Sequence, residues 1–101
     1  MTEETLNYEW FDPNGTVYFF HASWCVPCAA MLGWVGKLTR ELGFMYIDVD
    51  ASTEEGEKRT IEESVTSFPT IIVVDRYGVQ QERISGAITE YEFRKKLLAI
   101  S

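Results

Sequence analysis

Residues 23–30 read Ser-Trp-Cys-Val-Pro-Cys-Ala-Ala, and they hold both cysteines of the chain, Cys25 and Cys28. Such a pair can be a staple, part of a metal cage, or a redox couple. The flanking sequence narrows the choice. Thr16–Ser23, "TVYFFHAS", is a β-branched and aromatic run after the turn-like "DPNG", and it predicts a buried strand. From Cys25 onward Met31, Leu32, Trp34, Val35, Leu38 and Leu42 recur at helical spacing, with Gly43 as C-cap. Gly33 and Gly36 weaken that helix and permit a bend. The pair therefore falls where a strand gives way to a helix. Cys25 sits by unpaired N–H groups and the positive dipole end, which stabilise a thiolate. Pro27 lies in the first turn, where its missing N–H costs little.

The thiolate is the nucleophilic form, so Cys25 is the expected attacking residue. Cys28, one turn on, is expected to be more buried and less acidic. The cycle that follows has Cys25 attack a partner disulfide, after which Cys28 attacks Cys25 and frees the reduced partner. A zinc site needs about four ligands. His21 is the only other soft ligand, which leaves such a site short, so no metal is expected. Two inert core cysteines are the remaining alternative.

The rest of the chain supplies an α/β order. Phe44–Asp50 reads as a second strand. Ser52 and Glu55 have capping-box spacing ahead of a helix that continues despite Gly56. Pro69–Asp75, "PTIIVVD", is the plainest strand, "DRYG" a turn, and "VQQERIS" a further strand ending at Gly86. Thr89 and Glu92 repeat the capping spacing and open a terminal helix. Strand–helix–strand connections imply parallel pairing, and the short turn at Tyr77-Gly78 implies an antiparallel hairpin.

Length and composition fit one soluble domain. The chain has 101 residues, 46% hydrophobic and 25% charged, enough for a core without stapling. Sixteen Asp and Glu against nine Lys and Arg give a net charge of −7. With no basic cluster to displace counterions, nucleic acid is not an expected partner. The plain reading of this charge is solubility; the sharper one is a bias towards partners with a basic docking face. No apolar run reaches the roughly 18 residues of a membrane span. The acidic start from Met1 lacks the n- and h-regions of a secretory signal, so a reducing cytoplasm is the expected location. There a cysteine pair is catalytic or metal-binding more often than structural. Asn14-Gly15-Thr16 fits a glycosylation sequon, but reads more simply as a turn.

"WCVPC" after an apolar strand, followed downstream by "FPT" opening another, resembles the thioredoxin family. The family motif is W-C-G-P-C, so Val26 is one departure. The resemblance runs from Thr16 to Ser101 and includes the Tyr77-Gly78 turn, "SGA" at Ser85–Ala87 and the amphipathic last helix. The first fifteen residues match poorly. The resemblance implies a single domain, residues 1–101, with a three-layer α/β/α architecture and a mixed central sheet of four to five strands. It implies a monomeric protein-disulfide reductase whose only cofactor is its own Cys25–Cys28 disulfide. Its implied partners are disulfide-bearing proteins and a thioredoxin-reductase-like electron donor. Pro69 is expected to be cis and to face the cysteines. The Phe68 backbone is expected to pair with an extended substrate. Trp24, Val26, Pro27, Phe68 and Gly86 are expected to form an apolar patch around Cys25. The alternative is a thioredoxin-like binding module with slow or no turnover. An oxidant or isomerase would need an oxidising compartment, and the W-C-x-P-C form favours thioredoxin over glutaredoxin.

Four further positions depart from the family pattern. Phe19 stands six residues before Cys25, where a buried aspartate is usual, and Tyr46 replaces the lysine that pairs with it. Losing both leaves an apolar floor, which is expected to raise the Cys28 pKa. His21 replaces an aromatic residue and is a candidate modulator of the cysteine pair. Gly33 replaces a kinking proline, so the expected bend is mild.

Overall fold

A computed structural model describes residues 12–101. The leading part of the chain, residues 1–11, lies outside the described region, and with it most of the first fifteen residues, where a poor match was expected. The elements are β1 (Gly15–His21), α1 (Val26–Leu32), α2 (Val35–Glu41), β2 (Met45–Asp50), α3 (Glu54–Glu62), β3 (Thr70–Asp75), β4 (Gln80–Ser85) and α4 (Glu90–Ile100).

The four described strands form one sheet in the order β2-β1-β3-β4. β1 pairs parallel with β2, with Val17 opposite Tyr46, Phe19 opposite Asp48 and His21 opposite Asp50. β1 pairs antiparallel with β3, and β3 antiparallel with β4 across the Asp75–Gly78 turn. The sheet is mixed, as expected. β1 is central and covered on both faces, which is why its sequence is a nearly unbroken apolar run rather than an alternation.

The two faces carry separate clusters. Val17, Phe19, Ile71 and Val73 project to one side and pack with Cys28, Met31, Val35, Leu38, Phe93 and Leu97 of α1, α2 and α4. Phe20, Ile72, Val49 and Val65 fill the opposite side, where Arg59 of α3 lies over the Tyr18 ring at 5.1 Å. The result is the three-layer α/β/α arrangement. Burying a side chain as fully as Phe19 or Phe93 contributes about 1.5–3 kcal/mol.

Two local expectations are corrected. The helix read as continuous from Cys25 with a mild bend is fully interrupted. α1 ends at Gly33, whose N–H returns to the Met31 carbonyl, and Trp34 leaves helical geometry at φ −134° before α2 begins. Trp34 leaves the helical path and packs its ring against Phe93 of α4, with centroids 6.2 Å apart. The cap of α3 is Thr53, not Ser52. Thr53 Oγ1 accepts the Gly56 N–H at 3.0 Å. Ser52 is diverted: its hydroxyl accepts the Ser23 N–H at 2.7 Å, tying the loop before Cys25 to the end of β2. Gly43 does follow α2 with φ +83°, and Thr89 caps α4 by accepting the Glu92 N–H at 3.1 Å.

Candidate active site

β1 ends at His21, and the chain folds back at once, with the Cys25 N–H donating to the Ala22 carbonyl at 3.1 Å. This turn places Cys25 at the N-cap of α1 in an extended conformation. Its sulfur accepts the Cys28 N–H at 3.2 Å, satisfying one of the amides a helix start leaves unpaired. Pro27 sits in the first turn, where no donor is lost. The two Cα atoms are 5.3 Å apart and the sulfurs are joined as a disulfide. Cys28 is 1% exposed and belongs to the core cluster, whereas Cys25 is only half-buried. The asymmetry in burial expected from the spacing is present: Cys25 is partly open to solvent and Cys28 is packed in the core.

The surroundings of Cys25 are apolar and open. Trp24 is 67% and Val26 82% exposed. Pro27 is exposed as well. The Trp24 ring meets Phe68 edge-on at 6.2 Å. Phe68 also packs against both core clusters, so it belongs to the core as well as to the rim. The Phe68–Pro69 peptide bond is cis and Pro69 is buried. The Pro69 carbonyl accepts the Gly86 N–H at 2.8 Å, and Gly86 has φ +96°, which a side chain would strain. Trp24 is thus brought against Phe68, and Pro69 against Gly86.

His21 is almost fully buried on the same sheet face as Phe19, and the two rings stack at 5.4 Å. Its Nε2 is bonded to Oδ1 of Asp48. Sequence reasoning passed over Asp48. The signal was faint: a charged residue inside "YIDVD" whose partner becomes visible only once the parallel register sets it opposite Phe19. The Tyr46 hydroxyl donates to Oδ2 of Asp48 at 3.5 Å, and the Arg40 guanidinium lies 5.1 Å from the Tyr46 ring. Burial, reinforced by the neighbouring Asp48 carboxylate, pushes the Tyr46 phenol well above its ordinary value, so it stays neutral. The Ser52 backbone N–H holds the Asp50 carboxyl below the usual range, with a smaller contribution from His21.

This arrangement defines a class: an α/β domain with a dithiol–disulfide pair at a strand-to-helix junction, beside a cis-proline loop. The family model described as Thioredoxin matches residues 6–99. A thioredoxin H-type of Fagopyrum esculentum is 31% identical over 71 residues, covering 67% of this chain. The match spans 57% of that relative's length. Among solved structures, a Fasciola hepatica thioredoxin superposes with a TM-score of 0.74 at 28% identity, covering 97% of this chain and 90% of that one. Oxidized thioredoxin O2 of Arabidopsis thaliana gives 0.74 at 18% identity, covering 95% and 85%, a likeness of fold. The chain belongs to the thioredoxin family. Among the described residues no helix is long and apolar enough to cross a membrane.

Proposed function

We propose that the protein is a thiol–disulfide oxidoreductase that reduces disulfides in other proteins. The carrying observation is the asymmetric pair: Cys25 half-exposed at a helix start with its sulfur accepting an N–H, and Cys28 buried one turn below. The family's activity on protein disulfides supports the same reading.

In the reduced protein the Cys25 thiolate attacks one sulfur of a substrate disulfide. The other substrate sulfur leaves as a thiolate and takes up a proton, and a mixed disulfide remains. Cys28 then loses its proton and attacks Cys25, forming the Cys25–Cys28 bond and releasing the second substrate thiol. The dithiol is oxidised by two electrons and the substrate disulfide reduced by two. A reductase-type electron donor, acting on the half-exposed Cys25, closes the cycle. The apolar rim of Trp24, Val26, Pro27 and Phe68 suits an unfolded or extended segment, and the backbone beside Pro69 suits an added strand. Residues 1–101 act as a single monomeric domain with no cofactor beyond its own disulfide, in a reducing cytoplasm. The net charge of −7 favours partners with a basic docking face.

The test is insulin reduction with dithiothreitol as donor. The parent protein is expected to accelerate precipitation of the insulin B chain, and Cys25→Ser to abolish the acceleration. Cys28→Ser is expected to retain the substrate as a persistent mixed disulfide. If the parent gives no more reduction than dithiothreitol alone, the reading is wrong. The second reading, a binding module of slow turnover, is favoured by Phe19, a fully buried apolar ring where the family usually has an aspartate. It predicts partner capture that survives Cys25→Ser.

A further inference from the structure

The second half of the cycle requires Cys28 to give up a proton inside a core. Phe19, packed in the same cluster as Cys28, has no group to receive it. Two residues further along β1, on the same sheet face by strand alternation, stands His21. The Cys25–Ala22 hydrogen bond folds the start of α1 back onto this end of β1, and the Phe19 ring, on which His21 stacks, packs in the same cluster as Cys28.

We propose that His21 and Asp48 form the acid–base couple of this site, with His21 receiving the Cys28 proton and Asp48 the residue that positions the ring. The inference rests on the oxidoreductase reading above.

A carboxylate only accepts hydrogen bonds, so the Nε2 that meets Asp48 Oδ1 carries the hydrogen. The neutral ring then presents Nδ1 as its basic nitrogen. When Nδ1 takes a proton, Asp48 faces the imidazolium as its counter-charge. The ring cannot swing away, because it is 8% exposed and stacked on Phe19. The ionisable groups around it are Asp48 and Asp50 on β2, Tyr46 through Asp48 and Arg40 of α2 on the Tyr46 ring; the cysteine pair at the start of α1 is tied to this end of β1 by the Cys25–Ala22 backbone bond. Tyr46 stays neutral and donates to the second Asp48 oxygen, which fixes the carboxylate in turn. The proton balance is closed. Cys28 Sγ–H gives its proton to Nδ1, the thiolate forms the bond to Cys25 Sγ, and the Cys25–substrate bond breaks. The departing substrate thiolate is then protonated at the expense of the imidazolium.

The experiment is single-turnover stopped flow. The reduced protein is mixed with excess of a disulfide-bonded peptide carrying a fluorophore and quencher. Resolution of the mixed disulfide is followed between about pH 5 and 10, spanning the imidazole and thiol ranges. Cys25 alkylation by iodoacetamide is measured in parallel. His21→Phe removes the base. Asp48→Asn removes the counter-charge to the imidazolium and supplies an amide that can donate to Nε2, which favours the tautomer protonated at Nδ1. Both are expected to slow resolution near neutral pH by roughly 100-fold, the scale of general base catalysis. The rate is expected to recover at alkaline pH, where Cys28 ionises unaided, and Cys25 alkylation to change little. The double variant is expected to be no slower than either single one, because the two act as a unit. A parental pH profile in both variants overturns the proposal. So does an equal slowing at every pH, which marks a purely structural role. If the parental protein itself does not reduce the peptide, the oxidoreductase reading has failed.

Discussion

Replacing Gly56 by alanine tests whether a close approach between α3 and the end of β2 outweighs helix propensity. Gly56 lies in α3 with an unstrained helical backbone. Propensity alone favours alanine there by about 0.8–1.0 kcal/mol. The structure opposes it. A Cβ on Gly56 would lie 1.7 Å from the Asp50 carbonyl oxygen, 2.4 Å from its carbon and 2.9 Å from Thr53 Oγ1. Two of the three are backbone atoms, so no rotamer change relieves the clash. The helix would have to move out by roughly 1.3 Å to reach the 3.0 Å below which Cβ atoms essentially never sit. The same atoms hold the junction together. Asp50 O accepts from Thr53 N at 3.1 Å and from Thr53 Oγ1 at 2.8 Å, and Thr53 Oγ1 caps Gly56 N. Overpacking costs about 1–3 kcal/mol and a lost cap about 1 kcal/mol. Set against the propensity gain, Gly56→Ala should destabilise by about 2 kcal/mol, a Tm decrease of roughly 8–16 °C for a domain of this size. Gly33→Ala is the control. Gly33 is also right-handed helical, at φ −70° and ψ −19°, but its Cβ would meet only the Ala30 carbonyl at 3.6 Å, an ordinary contact. That substitution should stabilise by about 0.4–1 kcal/mol. Urea unfolding of the oxidised protein, followed by tryptophan fluorescence, reads both. A Gly56→Ala protein as stable as the parent would refute the reasoning.

Two further outcomes are expected. Val79 N–H, joined by Gln81 and Tyr77, holds the Asp75 carboxyl below the usual range. A depressed folded value means the ionised form stabilises the fold above the unfolded pKa of about 4, and that this contribution is lost as pH falls through the folded value. Asp75→Asn should therefore lower the urea midpoint at neutral pH, with the gap to the parent closing in acid. Thr89→Ala removes the acceptor of the Glu92 N–H at the start of α4 and should cost about 1 kcal/mol in thermal unfolding followed by circular dichroism.

What could be read from the chain alone follows a physical division. Elements whose evidence is local were legible. β1 and β3 announced themselves as β-branched apolar runs, α4 by its cap and periodicity, and Cys25 and Cys28 by their spacing at a junction. Features decided by a distant neighbour were not. Thr53 displaces Ser52 as cap because Ser23, 29 residues away from Ser52, claims the Ser52 hydroxyl. The helix after Cys28 breaks at Trp34, where helical periodicity continues in the sequence but the ring finds its partner on α4. Asp48 was missed because its meaning depends on the β1–β2 register, which neither strand carries by itself. Phe19 and Tyr46 were read as an apolar floor. Phe19 fits that description, but Tyr46 turns a hydroxyl toward Asp48.

β4 has consequences for how the protein behaves when concentrated. Among the described residues it pairs on one side only, with β3. A row of amides and carbonyls left open in this way can recruit the same strand of another molecule and grow into a fibre. Here the strand reads Gln-Gln-Glu-Arg-Ile-Ser, is exposed along most of its length, and meets β3 through a register shift at Val73–Val74. Stacking copies edge to edge in parallel register would set Glu82 and Arg83 in rows of like charge over an irregular ladder. Glu82→Val with Arg83→Val would turn this margin into a smooth hydrophobic one, and thioflavin-positive aggregates would be the expected sign of its loss.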